Sequence, residues 1–303
     1  MLVRWVRIVL GWNVLTILLG ALVRATHSGA GCGRSWPTCV GVVVPSLQGA
    51  TAIEFAHRSA SGLALVGVIA VALAVRTQTV KGHRARKSAS LAVGAIVLEA
   101  LIGAAIVLYE WVDRDDSIAR AVAVPVHLIN TLFLLAALTL TIWHLSGGGP
   151  LKRRGPARRW VWTAGAALVA ISATGAVTAL ADTLFPTKGP PPPETVHFLT
   201  ELRIVHPVLA VLAIAATALA LRGRSLPNTR AWRFLVGLTV GQSMIGLLNI
   251  RLGTPLWLQL LHLLVADLIW ISFVWIAAQA LSSRDFSSPG EFVGARQTIP
   301  EHR

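Results

Sequence analysis

Eight apolar stretches of roughly 20 residues, the length that crosses about 30 Å of hydrocarbon at 1.5 Å per residue, recur along this chain. They lie near residues 4–23, 51–75, 88–108, 121–145, 160–181, 201–221, 231–250 and 255–281. No other feature limits the fold as strongly. The chain reads as an all-α integral membrane protein of eight transmembrane helices, and its composition, 54% hydrophobic and 13% charged with a mean hydropathy of +0.67, agrees. A net charge of +14 would suggest nucleic acid in a soluble protein. Here the cations fill short gaps between apolar runs, so membrane lipid is the expected partner and nucleic acid is not.

The gaps alternate in charge. Arg76, Lys81, Arg84, Arg86 and Lys87 fill one, Lys152, Arg153, Arg154, Arg158 and Arg159 another, and Arg222, Arg224 and Arg230 a third. The intervening gaps carry Glu110, Asp113, Asp115 and Asp116, or Asp182, Lys188 and Glu194. The positive-inside rule then puts the protein in the cell membrane, multi-pass, with both termini cytoplasmic. Residues 1–24 also resemble a cleaved signal peptide, but their counterpart later in the chain favours a helix. Trp5, Trp111, Trp143, Trp160 and Trp257 fall near segment ends, as an aromatic belt would.

The segments repeat. "GALVRAT" at 20–26 is similar to "GAVTALA" at 175–181, "EFAHRSASGLALVGVIAVALA" at 54–74 to "RIVHPVLAVLAIAATALAL" at 203–221, and "EALIGAAIVL" at 99–108 to "GQSMIGLLNI" at 241–250. "PVHLINTLFLLAALTLTIW" at 125–143 matches "QLLHLLVADLIWISFVWIA" at 259–277. The expected domains are a four-helix half at 1–148, a second at 149–283 and a flexible cytoplasmic tail at 284–303. Four crossings return the chain to its starting side, so a pseudo-twofold axis along the membrane normal relates the halves. His57, His127, His206 and His262 occupy matching positions, a turn or two into even-numbered segments, and so share one depth in the outer half of the bilayer. An intramembrane imidazole is costly without a partner. Four of them, paired by a repeat, point to axial ligands of haem iron, His57 with His127 and His206 with His262, one haem per half. Met244 is the only methionine after Met1, and no C-x-x-C-H occurs, so His/Met ligation and covalent attachment are disfavoured.

The halves differ in two ways. Glu54 stands opposite Arg203, each three residues before its histidine, so one site has a carboxylate where the other has a cation. Such a carboxylate can move protons or stabilise a cationic intermediate, or it simply pairs with Arg58 or Arg24. Cys32 and Cys39, in the first outer loop, can close a disulfide around "GRSWP", either as a staple or as a redox-active pair. Arg24, Arg34, Arg58, Arg203 and Arg251 are candidate partners for haem propionates.

"GALVRATHSGAGCGRSWPTC", followed by "IEFAHRSASG", "PVHLINTLFLLAALTLT", "ELRIVHPVLA" and "LLHLLVADLIW", resembles heme A synthases of the bacterial type with an outer-loop cysteine pair. The resemblance covers about residues 8 to 281. It implies oxidation of the C8 methyl of heme O to the formyl of heme A, for use by terminal oxidases. It also implies Glu54 as the essential carboxylate and His57 and His127 as the histidines of the half that handles heme O and heme A. His206 and His262 become ligands of a heme b, and Cys32 and Cys39 an outer-loop disulfide. Heme O would arrive from a heme O synthase, and an unidentified electron donor or acceptor is required. His27 replaces the threonine, glycine or asparagine common in relatives. Two other readings accommodate the histidines: a diheme b-type carrier that oxidises quinol, or a transporter or haem exporter, which Glu99 and Asp267 inside helices would suit. The proline loop "PTKGPPPPETVHF", with His197, reads as a stiff outer loop.

Overall fold

The computed structural model describes residues 1–151, 156–186, 198–221 and 230–282. Expectations for Lys152, Arg153, Arg154, Arg222 and Arg224, for most of the proline loop with Lys188, Glu194 and His197, and for the tail at 284–303 lie outside them. The described chain is helical: α1 (Leu2–Ala25), α2 (Gly49–Gln78), α3 (Arg84–Leu108), α4 (Ile118–Leu145), α5 (Pro156–Leu184), a single turn α6 (Phe198–Glu201), a 3-10 turn (Leu202–Ile204), α7 (Val205–Leu221), α8 (Arg230–Arg251) and α9 (Leu256–Leu281). Seven of these helices are long and apolar enough to cross a membrane. The sixth expected segment, 201–221, differs. It begins as α6 and the 3-10 turn, and α7 then runs 17 residues to the edge of the described chain.

Local chemistry sets several helix ends. The Ser117 hydroxyl accepts the Arg120 amide at 3.2 Å at the start of α4, and Asp115 accepts the Ser117 hydroxyl at 2.8 Å. The His83 imidazole accepts the Ala85 amide at 3.2 Å at the start of α3. After α1 the chain turns through His27, whose φ is +54°, and the Ser28 amide returns to the Val23 carbonyl at 2.9 Å.

Three apolar clusters hold the bundle. One joins α1 to α4 through Val6, Val68, Val75, Leu134 and Leu138. A second, around Leu132, Leu135, Trp270 and Val274, packs α4 against α9 with α1 and α5 alongside. There the Trp270 indole donates to the Leu132 carbonyl at 2.7 Å, so the indole is satisfied without water. A third joins Ala121 at the start of α4 to Leu180, Ala181 and Leu199. Helices α1 and α4 thus meet α5 and α9. The exterior is apolar, with Leu63, Val66, Leu101, Phe133, Val211 and Val240 exposed, as a lipid-facing surface requires. Met244 is among them, on the outside of α8.

The loop from α1 to α2 is covalently closed: Cys32 and Cys39 form a disulfide across seven residues, and both are buried. Gly31 lies directly on the start of α2, where a Cβ would stand 2.5 Å from the Ala50 carbonyl, and the Thr51 hydroxyl donates to the Gly31 carbonyl at 2.8 Å. Closing so short a loop contributes about 2 kcal/mol through the unfolded chain. Replacing both cysteines by serine is therefore expected to lower the thermal midpoint in detergent by several degrees, and reductant should lower the native protein's midpoint to the same value.

Candidate functional site

Each candidate histidine lays its ring against a glycine of the preceding long helix. His57 faces Gly20, His127 faces Gly103, His206 faces Gly175 and His262 faces Gly246. A Cβ built on those glycines would stand 2.9, 3.9, 3.1 and 3.1 Å from the imidazole Cε1. At three of the four pairs even alanine would press on the ring. His57, His127 and His262 lie eight, nine and six residues beyond the first residue of their helices, and His206 lies eight beyond Phe198. By helical rise that is roughly 9 to 14 Å below the end of the bundle that carries the cysteine loop.

In one pair the rings come together. The His206 and His262 centroids are 6.2 Å apart with planes at 86°. His57 and His127 are close enough to interact electrostatically. Two imidazoles bound to one metal from opposite sides, with metal–nitrogen bonds of about 2 Å, would place their centroids about 6 Å apart. The His206 Nδ1 meets the Ile171 carbonyl at 3.0 Å, which leaves Nε2 with its lone pair free for a metal. His57, His127 and His262 each bury an Nδ1 that makes no hydrogen bond. Among the described residues no cluster of three or more His, Cys, Asp or Glu forms a metal site. Two facing imidazoles flanked by glycine make a donor set that fits a haem iron held axially.

Glu54 is buried at 3% exposure, one turn before His57. Its Oε2 accepts the Cys32 amide at 2.7 Å, and its Oε1 accepts the Arg58 guanidinium at 2.5 and 3.1 Å. Arg58 also donates to the Ser35 and Thr38 carbonyls at 2.5 and 2.7 Å. The carboxyl group therefore ties the cysteine loop to α2. At the equivalent position Arg203 pairs with Asp182 at 2.9 Å and donates to the Ala181 carbonyl at 2.6 Å.

The remaining arginines diverge. Arg24 leaves its own half, donating to the Ala179 carbonyl at 2.5 Å, to the Thr183 hydroxyl and to Gln259 Oε1 at 3.1 Å. Arg34 makes an exposed pair with Glu110 at 3.4 Å, and Arg251 is exposed at the end of α8. His27 stands 3.6 Å from Asp113 and lines an open groove with Arg114, Asp116 and Thr183, away from the four histidines. Sequence reasoning passed over Arg120, which is 4% exposed and donates to the Asp113 and Asp115 carbonyls at 2.8 and 2.7 Å. Its place at the edge of an apolar run made it look like a loop cation.

The histidine contacts also shift one alignment within the expected repeat. Gly103 and Gly246 play the same part, so Glu99 corresponds to Gln242, each four residues earlier. The match of 99–108 with 241–250 was therefore one residue out of register. Helices built from Leu, Ile, Ala and Gly give little to fix the alignment.

Breaking a buried pair strands the surviving charge, at a cost of about 3 kcal/mol. Arg58→Met should lower the unfolding temperature and speed proteolysis within residues 26–48. Arg58→Lys should restore only part of the protection, since one ammonium cannot span Glu54 and two carbonyls at once.

Residues 3–274 match the sequence profile of the cytochrome oxidase assembly protein family, COX15-CtaA. A protoheme IX farnesyltransferase of Thermus thermophilus is 46% identical over 291 residues, covering 90% of this chain and 47% of that protein. The chain thus spans about half the length of that relative. A heme A synthase of Staphylococcus aureus is 27% identical over 275 residues, covering 86% and 89% of the two chains. A heme A synthase of Bacillus licheniformis is 44% identical over 99 residues, 32% of each. With the profile spanning the helices that carry all four histidines, the chain belongs to the COX15-CtaA family of cytochrome oxidase assembly proteins.

Proposed function

We propose that this protein is a heme A synthase, which oxidises the C8 methyl of heme O to a formyl group. The observation that carries the reading is the doubled site: four histidines, each ring against a glycine of the preceding long helix, with a buried carboxyl group one turn from His57 and an arginine at the matching place before His206. On this reading residues 1–148 bind heme O and heme A through His57 and His127, and 149–283 hold a heme b through His206 and His262. Both sites lie in the outer half of the membrane, with the termini in the cytoplasm.

With water as the oxygen donor, turning a methyl into a formyl group removes four electrons from carbon and releases four protons, two from carbon and two from water. Heme b, when bound, supplies a one-electron relay to a membrane acceptor. The chain's own residues do the rest. Glycines 20 and 103 leave room for the imidazoles that hold the substrate, and the closed cysteine loop covers Glu54 and excludes water from it. Glu54 stabilises positive charge at the methyl carbon or takes a proton from attacking water. Oε1 already accepts two Arg58 N–H groups, whereas Oε2 accepts only the Cys32 amide and keeps a lone pair that can take the proton. Arg24, Arg58 and Arg203 also have protein acceptors, and a propionate would share them rather than find them waiting.

The farnesyltransferase relative carries the name of a different activity, and the chain covers only part of it. The chain matches 47% of it and is itself matched by the assembly-family profile over 3–274, so we assign farnesyl transfer to the part of that relative outside the match. A protein that joins both parts would pass its farnesylated haem directly to this site.

The test is to express the chain in a host that supplies heme O and to identify the extracted haems by chromatography and mass spectrometry. Heme B together with heme A or an oxidised intermediate is expected, and Glu54→Ala should abolish heme A while retaining heme B. Heme B alone in the native chain would instead identify a diheme electron carrier. Gly175→Val should displace His206 and cut heme B content several-fold, because its Cβ would meet the ring at 3.1 Å.

A further inference from the structure

Glu99 is an acidic residue in the middle of a membrane helix, which is costly unless it has a task. It lies on α3, one turn before Gly103, and its Oε1 is 3.5 Å from Nδ1 of His127 on α4. Two donors from α4, one turn beyond His127, fix the carboxyl group: Asn130 Nδ2 reaches Oε2 at 2.5 Å, and the Thr131 hydroxyl donates to Oε1. Asn130 Nδ2 also donates to the Ala95 carbonyl at 2.9 Å, so the clamp is anchored on both helices. The second half is built otherwise. Gln242, the counterpart of Glu99, donates its amide to the backbone carbonyl of His262 at 3.0 Å. Neither His127 nor His262 hydrogen-bonds its ring Nδ1, but among the described residues only that of His127 has a carboxylate within ion-pair distance.

We propose that Glu99 is the positioning residue of His127: its carboxylate, 3.5 Å from Nδ1 and not hydrogen-bonded to it in this structure, takes the ring's Nδ1–H when haem is bound, so that Nε2 faces the haem iron as a strengthened donor. This rests on the reading of His127 as an iron ligand. A ligating histidine that donates its second N–H to a carboxylate has a fixed tautomer and a more basic ligating nitrogen. A more basic ligand stabilises ferric over ferrous iron. Of the four histidines, His127 is the one with a carboxyl group at its ring among the described residues. The first-half haem therefore has the lower reduction potential, and electrons taken from it run toward the second half.

The test is redox titration of the haem-loaded chain in detergent, followed by optical spectroscopy, for native protein, Glu99→Gln and Glu99→Asp. The His262→Ala chain identifies which midpoint belongs to the first half. Glu99→Gln keeps the shape and loses the charge, and it should raise the first-half midpoint by about 59 mV, a tenfold change in the ferric-to-ferrous equilibrium. The second-half midpoint should not move, and Glu99→Asp should recover part of the shift. An unchanged first-half midpoint in Glu99→Gln, with both haems retained, would overturn the proposal, as would equal shifts at both haems. His127→Ala separates the underlying reading: a chain that kept both haems without His127 would show that this residue is no ligand, and the role of Glu99 would fall with it.

Discussion

The contact on which this architecture depends is the one between an imidazole and a bare backbone. Glycine inside a helix costs about 1 kcal/mol relative to alanine. The chain nonetheless places one opposite each of four membrane histidines, and at three of them a single methyl group would collide with the ring. The missing side chain lets a polar ring lie between helices that are otherwise close-packed with Leu, Val and Ala. It also fixes the depth at which each ring meets the preceding helix.

Charge inside the bundle follows from that constraint. A buried ion needs a partner, and each half finds a different one for the residue three before its histidine. Glu54 is met by Arg58 and a loop amide, and Arg203 by Asp182 and helix-end carbonyls. Arg24 binds the two halves instead, reaching from the end of α1 to α5 and α9. The cysteine loop is therefore more than a cover. Its backbone is one of the two donors that hold Glu54, so the state of the disulfide and the position of the carboxyl group are mechanically linked.

Much of this was legible in the sequence, for definite reasons. Helices spanning a membrane must be long and apolar, so seven of the eight expected segments emerge with ends a few residues away. The histidines stood out because a repeat placed them at matching positions. The pairing of Glu54 with Arg58 was foreseen as an alternative to a free carboxyl group, since residues four apart share a helix face. What the sequence hid were contacts made by backbone. The amide of Cys32 at Glu54 and the carbonyl of Ile171 at His206 have no side-chain signature. Glu99 was seen only as an isolated charge, because the apolar letters around it allowed an alignment one residue astray and concealed Gln242 as its counterpart.

That corrected register changes what the asymmetry between the halves means. Glu54 and Arg203 differ in sign, yet each is paired with a neighbour of opposite charge, Arg58 and Asp182. Asp267, the other carboxyl group deep in the bundle, lies on α9 beyond His262 and makes no ion pair with a histidine among the described residues. Among the described residues, Glu99 is the acid that approaches the ring of one of the four membrane histidines, and it does so in the half that also carries Glu54. If two haems of similar ligation occupied symmetric halves, they would exchange electrons without preference. One carboxyl group beside one ligand is sufficient to break that balance, because an anion near the iron's ligand field favours the more oxidised state. On the proposed function, the half that would lose electrons in oxidising a methyl group would then also be the half whose iron gives them up more readily.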